Sequence, residues 1–285
     1  MKEEVRQGPW RLRAAGAEDH AAFSRLFREL GVDDPPPDLA LWQREVAPRT
    51  RMVDGPGGVV GYTSTEVLGT LGYVQQLVVD AAVRRQGVGR WVMGQVAESF
   101  RARGCRDWTL NVKRDNTAAL ALYASLGLRP SRQAVNLGVT RAQVATLPAS
   151  PERLAVVPAL EADWPVLTEA FGLLPGKLAR FATLGSHQLL RLSREDGGAG
   201  EVLGMMDVRA PAAVLFPFFA VSLGHARVLL EHAFALLGET RASLGVVVTD
   251  DAALESRLRE AGAGVRLETF ELRGPLPAPD LLGSR

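Results

Sequence analysis

The sequence has a single cysteine, Cys105. One thiol excludes an internal disulfide, and no cysteine spacing of the kind that holds zinc is present, so no metal is expected. No histidine lies near Cys105 in sequence, and free cysteines are commonly buried, so it reads as a packing residue. An excess of charge is also missing. The 33 basic and 32 acidic residues leave a formal net charge of +1, which gives no general drive toward nucleic acid or an anionic membrane. Recognition by charge must come from local clusters. Long hydrophobic runs are absent too. The most apolar stretch, "APAAVLFPFFAVSLG", is shorter than the roughly 20 residues of a spanning helix and contains two prolines. It reads as a buried strand. The opening "MKEEVRQGPW" has no apolar core of a secretory signal, and a cytoplasmic protein is expected.

What is present describes a folded chain. Its 47% hydrophobic and 23% charged residues suit a soluble globular protein, and 285 residues suffice for two ordinary domains. Phe23, Leu26, Phe27 and Leu30 fall at helical spacing, and "GVDDPPPD" then breaks the chain. A short helix through Trp42 is expected next. "TRMV" and "VVGYTSTEV" read as a hairpin around "DGPGG", and "YVQQLVV" as a third strand. A helix with Val92, Val96 and Phe100 on one stripe, the strand "DWTLNV", and the helix "NTAALALYASLG" closed by Gly127 follow. Residues 139–152, with Pro148 and Pro151, lack periodicity and read as a linker or crossover. Beyond them the order returns. "DHAAFSRLF" at Asp19 is echoed by "DWPVLTEAF" at Asp163, and "NTAALALYASLG" at Asn116 by "DAALESRLREAG" at Asp251. The 135-residue offset of the second pair also carries Gly89 onto Gly224. Two copies of one domain are expected, over 1–140 and 150–285.

"RRQGVGRWVMG" carries the first chemical signal. Gly87 and Gly89 sit where a strand turns into a helix, so a diphosphate can approach the backbone, and the first helical N–H groups have no internal partner. Those donors and the helix dipole favour an anion, and Arg84, Arg85 and Arg90 add charge. An ordinary turn with solvated arginines accounts for the same residues. The dinucleotide fingerprint fails, because its third glycine falls on Val92, and no Walker Lys-Ser or Lys-Thr follows. The second signal is Asn116, Ala119, Tyr123 and Gly127. Asn116 and Tyr123, seven apart, share a helix face, with small Ala119 between them. Read singly, Asn116 is also a good helix N-cap and Tyr123 an ordinary core aromatic.

Residues 84–89 fit R/Q-x-x-G-x-G/A, which resembles the pyrophosphate-binding turn of the GNAT acyltransferase superfamily, and Asn116 to Gly127 resembles that family's second conserved segment. Ala81 departs from a common proline. The resemblance implies an α/β (α+β) fold of two GNAT-like domains, each a mixed, mainly antiparallel twisted sheet flanked by helices. It implies acetyl-coenzyme A held by Leu77, Val78, Val79, Arg84, Arg85, Gln86, Gly87, Val88, Gly89, Arg90, Asn116, Ala119 and Tyr123. It also implies acetyl transfer to a small amine or a protein amino group, by direct attack in a ternary complex. The backbone N–H of Leu77 or Val78 would stabilise the oxyanion, and Tyr123, with a usual pKa of about 10, would protonate the departing thiolate. Glu66 is the expected general base, with an ordered water as the other option. Asp33, Asp34 and Trp42 are expected to meet the acceptor, with Glu45 nearby. At the 135-residue offset the second copy has Asp251, Leu254 and Leu258 for Asn116, Ala119 and Tyr123, and Ser222 for Gly87. It reads as a degenerate copy that supports the first, pairs two chains or shapes the acceptor site. A monomer or homodimer is expected, with neither nucleic acid nor membrane as partner. A non-catalytic acyl-coenzyme A sensor is the alternative reading.

Overall fold

The structure, a computed structural model, describes residues 5–7, 9–31, 35–195, 201–210 and 212–278. The chain divides into two compact units, one reaching Ser131 and resuming at Glu271, the other spanning Arg132–Phe270. Among the described residues, no helix is long and apolar enough to cross a membrane.

Unit 1 runs β1 (Val5–Gln7), β2 (Trp10–Ala14), α1 (His20–Phe27), β3 (Thr50–Gly55), β4 (Gly58–Leu68), β5 (Leu71–Val79), α2 (Val88–Ala102), β6 (Asp107–Lys113) and α3 (Thr117–Ser125). Strands β1 to β5 pair antiparallel in sequence order, and β6 joins β5 in parallel. The hairpin at "DGPGG" forms as the turn residues require. α1 buries Phe23, Leu26 and Phe27, the stripe its spacing predicts, against Met52, Tyr62 and Val78. Phe23 anchors that cluster, with ring centroids 4.4 Å from Trp42 and 4.8 Å from Tyr62.

Two features of unit 1 bear on its stability. The carboxylate of Asp19, 4% exposed, accepts two 2.7 Å bonds from Arg13 and one of 2.8 Å from the Gly16 amide. Burial alone would raise its pKa, but the bonds from Arg13 and Gly16 outweigh it and hold the carboxyl below its usual range. A folded-state pKa below the unfolded value gives stability that is present above about pH 4 and lost as pH falls through the folded value. Asp19→Asn is therefore expected to lose roughly 3 kcal/mol at neutral pH, by removing one partner of a buried ion pair. Urea unfolding at pH 7 and pH 3 tests this, because the difference between variant and wild type must shrink at the lower pH. The second feature is Gly72 on β5, where an added Cβ would lie 2.3 Å from the Phe100 ring of α2. Gly72→Ala is expected to cost about 1–3 kcal/mol in denaturant unfolding by overpacking.

Unit 2 repeats the order. It has β8 (Leu154–Pro158), α4 (Trp164–Ala170), α5 (Lys177–Ala182), β9 (His187–Arg194), β10 (Gly204–Arg209), β11 (Val214–Ala220), α6 (Leu223–Leu237), β12 (Ser243–Thr249), α7 (Ala252–Glu260) and β13 (Gly264–Pro275). The apolar run that reads as a buried strand is β11. Helices α2 and α6 are both 15 residues long and start 135 residues apart, as do the nine-residue helices α3 and α7. Asn116 caps α3 through the Ala119 amide, and Asp251 caps α7 through the Leu254 amide. Asp163 accepts from the Leu160 amide as Asp19 does from Gly16, both at 2.8 Å.

The division differs from the expected 1–140 and 150–285. β7 (Arg129–Thr140) begins in unit 1, but its residues 134–140 pair antiparallel with β12 in unit 2. β13 begins in unit 2, but from Glu271 it belongs to unit 1, where Leu272 O accepts from Thr109 Oγ1 on β6 at 2.9 Å. Residues 139–152 are not a free linker either. Val139, Val144 and Leu147 are buried in the core of unit 2. Pro148 and Pro151 break the periodicity of that segment without freeing it from the core.

Candidate active site

In unit 1 the central feature is a parting of strands. β5 pairs with β4 along its whole length, from Leu71 to Val79, but with β6 only from Leu71 to Val74. Beyond Val74 one edge of β5 has no strand against it among the described residues. The register with β4 shifts at the same point, so that Gln75 forms a bulge between Val74, opposite Thr65, and Gln76, opposite Ser64. Asp80 N donates to Val60 O on β4 at 2.8 Å. Backbone groups alternate sides along a strand, so Val78 also faces β4, while Leu77 and Val79 face the opening. Consistently, Val79 O accepts from Arg84 Nε on the following turn, at 2.9 Å. Of the two oxyanion donors that the resemblance implies, the direction of the backbone leaves Leu77.

The turn leads into α2 with Arg85 and Gly87 in left-handed conformations, at φ 64° and 91°. Gly87 is the N-cap, and among the described residues no side chain caps the helix or accepts from its first amides. The arginines divide their work. Arg84 holds the turn in place, bonding Val79 O and pairing with Glu29 at 2.7 Å. Arg90 joins α2 to α3 through Ser125 Oγ at 2.7 Å. Arg85 is exposed beside Gln86. Gly89 has a packing reason for its small size, because a Cβ there would lie 3.3 Å from Leu122 on α3. Val88 is buried and anchors the first turn of α2.

α3 places the remaining candidates beside α2. Asn116 spends its Oδ1 on the helix cap, 3.1 Å from the Ala119 amide, so the cap reading is true and its amide NH2 stays exposed. Ala119 is half-buried. Tyr123 is 7% exposed, and burial pushes its pKa up to about 12. Glu66 lies on β4 opposite Tyr73, and its Oε2 accepts from Gln75 Nε2 at 2.8 Å. Sequence reading missed Gln75 as a partner. The only sign was "QQ" interrupting a valine-rich strand.

The acceptor candidates fare differently. Trp42 is fully buried in the core of unit 1, and its Nε1 donates to Gly16 O at 3.1 Å. This corrects the expectation that it meets an acceptor. The short helix expected there is a single α-turn, capped by Asp38, running into a π-helical stretch, Trp42–Val46. That stretch carries the indole inward onto Phe23. Glu45 pairs with Arg44. Asp33 and Asp34 lie outside the described residues.

Unit 2 keeps the cap of α7 but differs in the turn and in two side chains of that helix. Eight residues separate β5 from α2, but only Val221 and Ser222 separate β11 from α6. Ser222 caps α6 by accepting from the His225 amide at 3.2 Å. Leu254 and Leu258, at the positions of Ala119 and Tyr123, are buried in the core.

Residues 17–128 match the family model described as Acetyltransferase (GNAT) family. A GCN5-related N-acetyltransferase from Sphaerobacter thermophilus has a similar structure, with a TM-score of 0.69 at 19% identity over 96% of this chain and 98% of that one. A tandem GNAT protein from the clavulanic acid biosynthesis pathway gives a TM-score of 0.60 at 16% identity over 94% and 95%. No curated protein sequence matches the chain. Residues 17–128 thus form a domain of the GNAT acetyltransferase family, within a chain that has the fold of tandem GNAT proteins.

Proposed function

We propose that unit 1 is an N-acetyltransferase that takes its acyl group from acetyl-coenzyme A and delivers it to a primary amine. The reading is carried by the parting of β5 from β6 next to the uncapped start of α2. The amides of Val88, Gly89 and Arg90 offer donors to a pyrophosphate, with Arg85 and Gln86 exposed on the same turn. The edge of β5 offers the backbone N–H and C=O of Leu77 and the N–H of Val79 to the amide-bearing pantetheine arm, Val79 O being bonded to Arg84. Both fit the chemistry of this donor.

In the reaction the amine nitrogen attacks the thioester carbonyl carbon, and charge moves onto the carbonyl oxygen. Leu77 N–H is positioned to stabilise that oxygen. Collapse forms the amide C–N bond and breaks the C–S bond, and Tyr123 gives its phenolic proton to the leaving sulfur. The amine proton passes to Glu66, directly or through water. Glu66 is assigned this part because it sits on the strand beside the bulge where β5 and β6 separate, held by Gln75.

Two measurements test the proposal on the full chain. Acetyl-coenzyme A at 100 times its Kd is expected to raise apparent stability by about 2.7 kcal/mol, where NAD(P) has no effect. Thiol release followed across a panel of primary amines is expected to find at least one acceptor. Stabilisation without thiol release from any amine would favour the sensor. Glu66→Gln is expected to remove the acidic limb of the pH–rate profile, and an unchanged profile would assign the base to water.

A further inference from the structure

Unit 2 has lost the phosphate turn but contains a cavity of about 760 Å³, within the usual range for small-molecule sites. Its walls come from the ends of β11 and β12, the start of α7 and the end of α4. These are the counterparts of the elements that surround the opening in unit 1. The floor is apolar, with Phe218, Phe219, Val248 and Leu254, and Phe219 stacks on Phe171 at 4.9 Å with ring planes 8° apart.

The charge around the cavity is the reverse of that in unit 1. Glu169, Asp250 and Asp251 line it with one cation, Arg132. The Arg132 guanidinium is already committed, bonding Asp250 at 2.7 Å and the carbonyls of Phe171 and Gly172, and it lies over the Phe219 ring at 5.3 Å. Asp251 caps α7 and Ser222 caps α6, so each helix start already spends one amide on a side-chain oxygen, and the Asp251 carboxylate repels an anion there. Glu169 is exposed and has no side-chain partner among the described residues. The remaining potential favours a cation, and the aromatic floor favours one with an apolar body.

We infer that this cavity binds a small organic amine, an ammonium group on an aromatic or alicyclic body, with the ammonium toward Glu169 and the body on Phe219. The inference does not depend on the reaction assigned to unit 1. It gives the second copy a ligand of its own, of the same chemical class as the amines that copy 1 is proposed to acetylate.

The test uses the full chain and three probes of one shape: phenethylamine, 2-phenylethanol and 3-phenylpropionate. Calorimetry is expected to show phenethylamine binding at least about tenfold more tightly than either comparator, a difference of about 1.4 kcal/mol. Glu169→Gln is expected to weaken phenethylamine about three- to fivefold, as befits an exposed charge. Ala253→Trp, at an exposed position on α7 that lines the cavity, is expected to abolish binding. Both variants should keep the melting temperature of the wild type and its response to acetyl-coenzyme A. Equal binding of the three probes overturns the inference, as does phenethylamine affinity that neither substitution changes, which would place the amine in unit 1. A wild type that binds phenethylamine but ignores acetyl-coenzyme A would overturn the reading of unit 1 and leave this one intact.

Discussion

Tyr123→Phe is expected to lower kcat by about 10²- to 10⁴-fold and to leave KM for acetyl-coenzyme A nearly unchanged. The substitution removes one oxygen and keeps the ring that packs the inner face of α3, where Tyr123 is buried. What is lost is a proton needed only as the C–S bond breaks, and such a loss falls on kcat and kcat/KM alike. Burial pushes the phenol up to about 12, so Tyr123 stays protonated through the range in which the enzyme can be assayed. That burial makes the phenol a weaker acid, but the same dry surroundings make the departing thiolate a stronger base, so the transfer remains feasible. It follows that any loss of rate between pH 7 and about 11 has another source, and the position of that limb should be the same in wild type and variant. Steady-state kinetics at saturating amine, over pH 6 to 10, provide the check. Full turnover by the phenylalanine variant would remove Tyr123 from the mechanism and leave the thiolate to depart unprotonated.

The parts of this site that were legible in sequence are those fixed by local chemistry. Gly87 must adopt φ 91°, and a glycine between arginines at a strand end announces that need. Asn116, Ala119 and Tyr123 announce a helix face by their spacing alone. Asp19 and Asp163, or Asn116 and Asp251, repeat because a capping aspartate or asparagine is required wherever such a helix starts, and this made the duplication visible. The parts that stayed hidden depend on partners far away in the chain. Leu272 on β13 lies 163 residues from Thr109 on β6, and no local pattern in "ETFELRGP" says which unit its second half will join. Trp42 has the same aromatic character whether it faces a ligand or Phe23, and only the π-helical stretch decides that it turns inward. The choice of Leu77 over Val78 rests on the backbone bond between Asp80 and Val60, which carries no side-chain signature. The cavity of unit 2 is hidden for a related reason. Its carboxylates, Glu169, Asp250 and Asp251, are far apart in sequence or serve other ends there, and only the packing of β11, β12 and α7 brings them around Phe219.

Unit 2 also indicates how to close the site of unit 1 with one side chain. Ala119→Leu copies into α3 the residue found at the same position of α7, Leu254. Leucine and alanine are both good helix formers, so α3 itself should tolerate the change. The Asn116 cap uses the Ala119 backbone amide and is not disturbed. The added isobutyl group would grow from a half-buried position on α3, on the face along which the pantetheine arm is proposed to pass. The expected result is a variant with the melting temperature of the wild type that no longer gains the roughly 2.7 kcal/mol of stability conferred by ligand at 100 times Kd. Turnover should fall with binding. In the wild type, titration should give one equivalent of acetyl-coenzyme A per chain, because unit 2 has two residues where unit 1 has an eight-residue turn, and its helix start is already capped by Ser222. Two equivalents per chain would mean that the pyrophosphate turn is dispensable. Undiminished stabilisation of Ala119→Leu would mean that the arm does not pass along α3, and the site would then have to be rebuilt from the β5 edge alone.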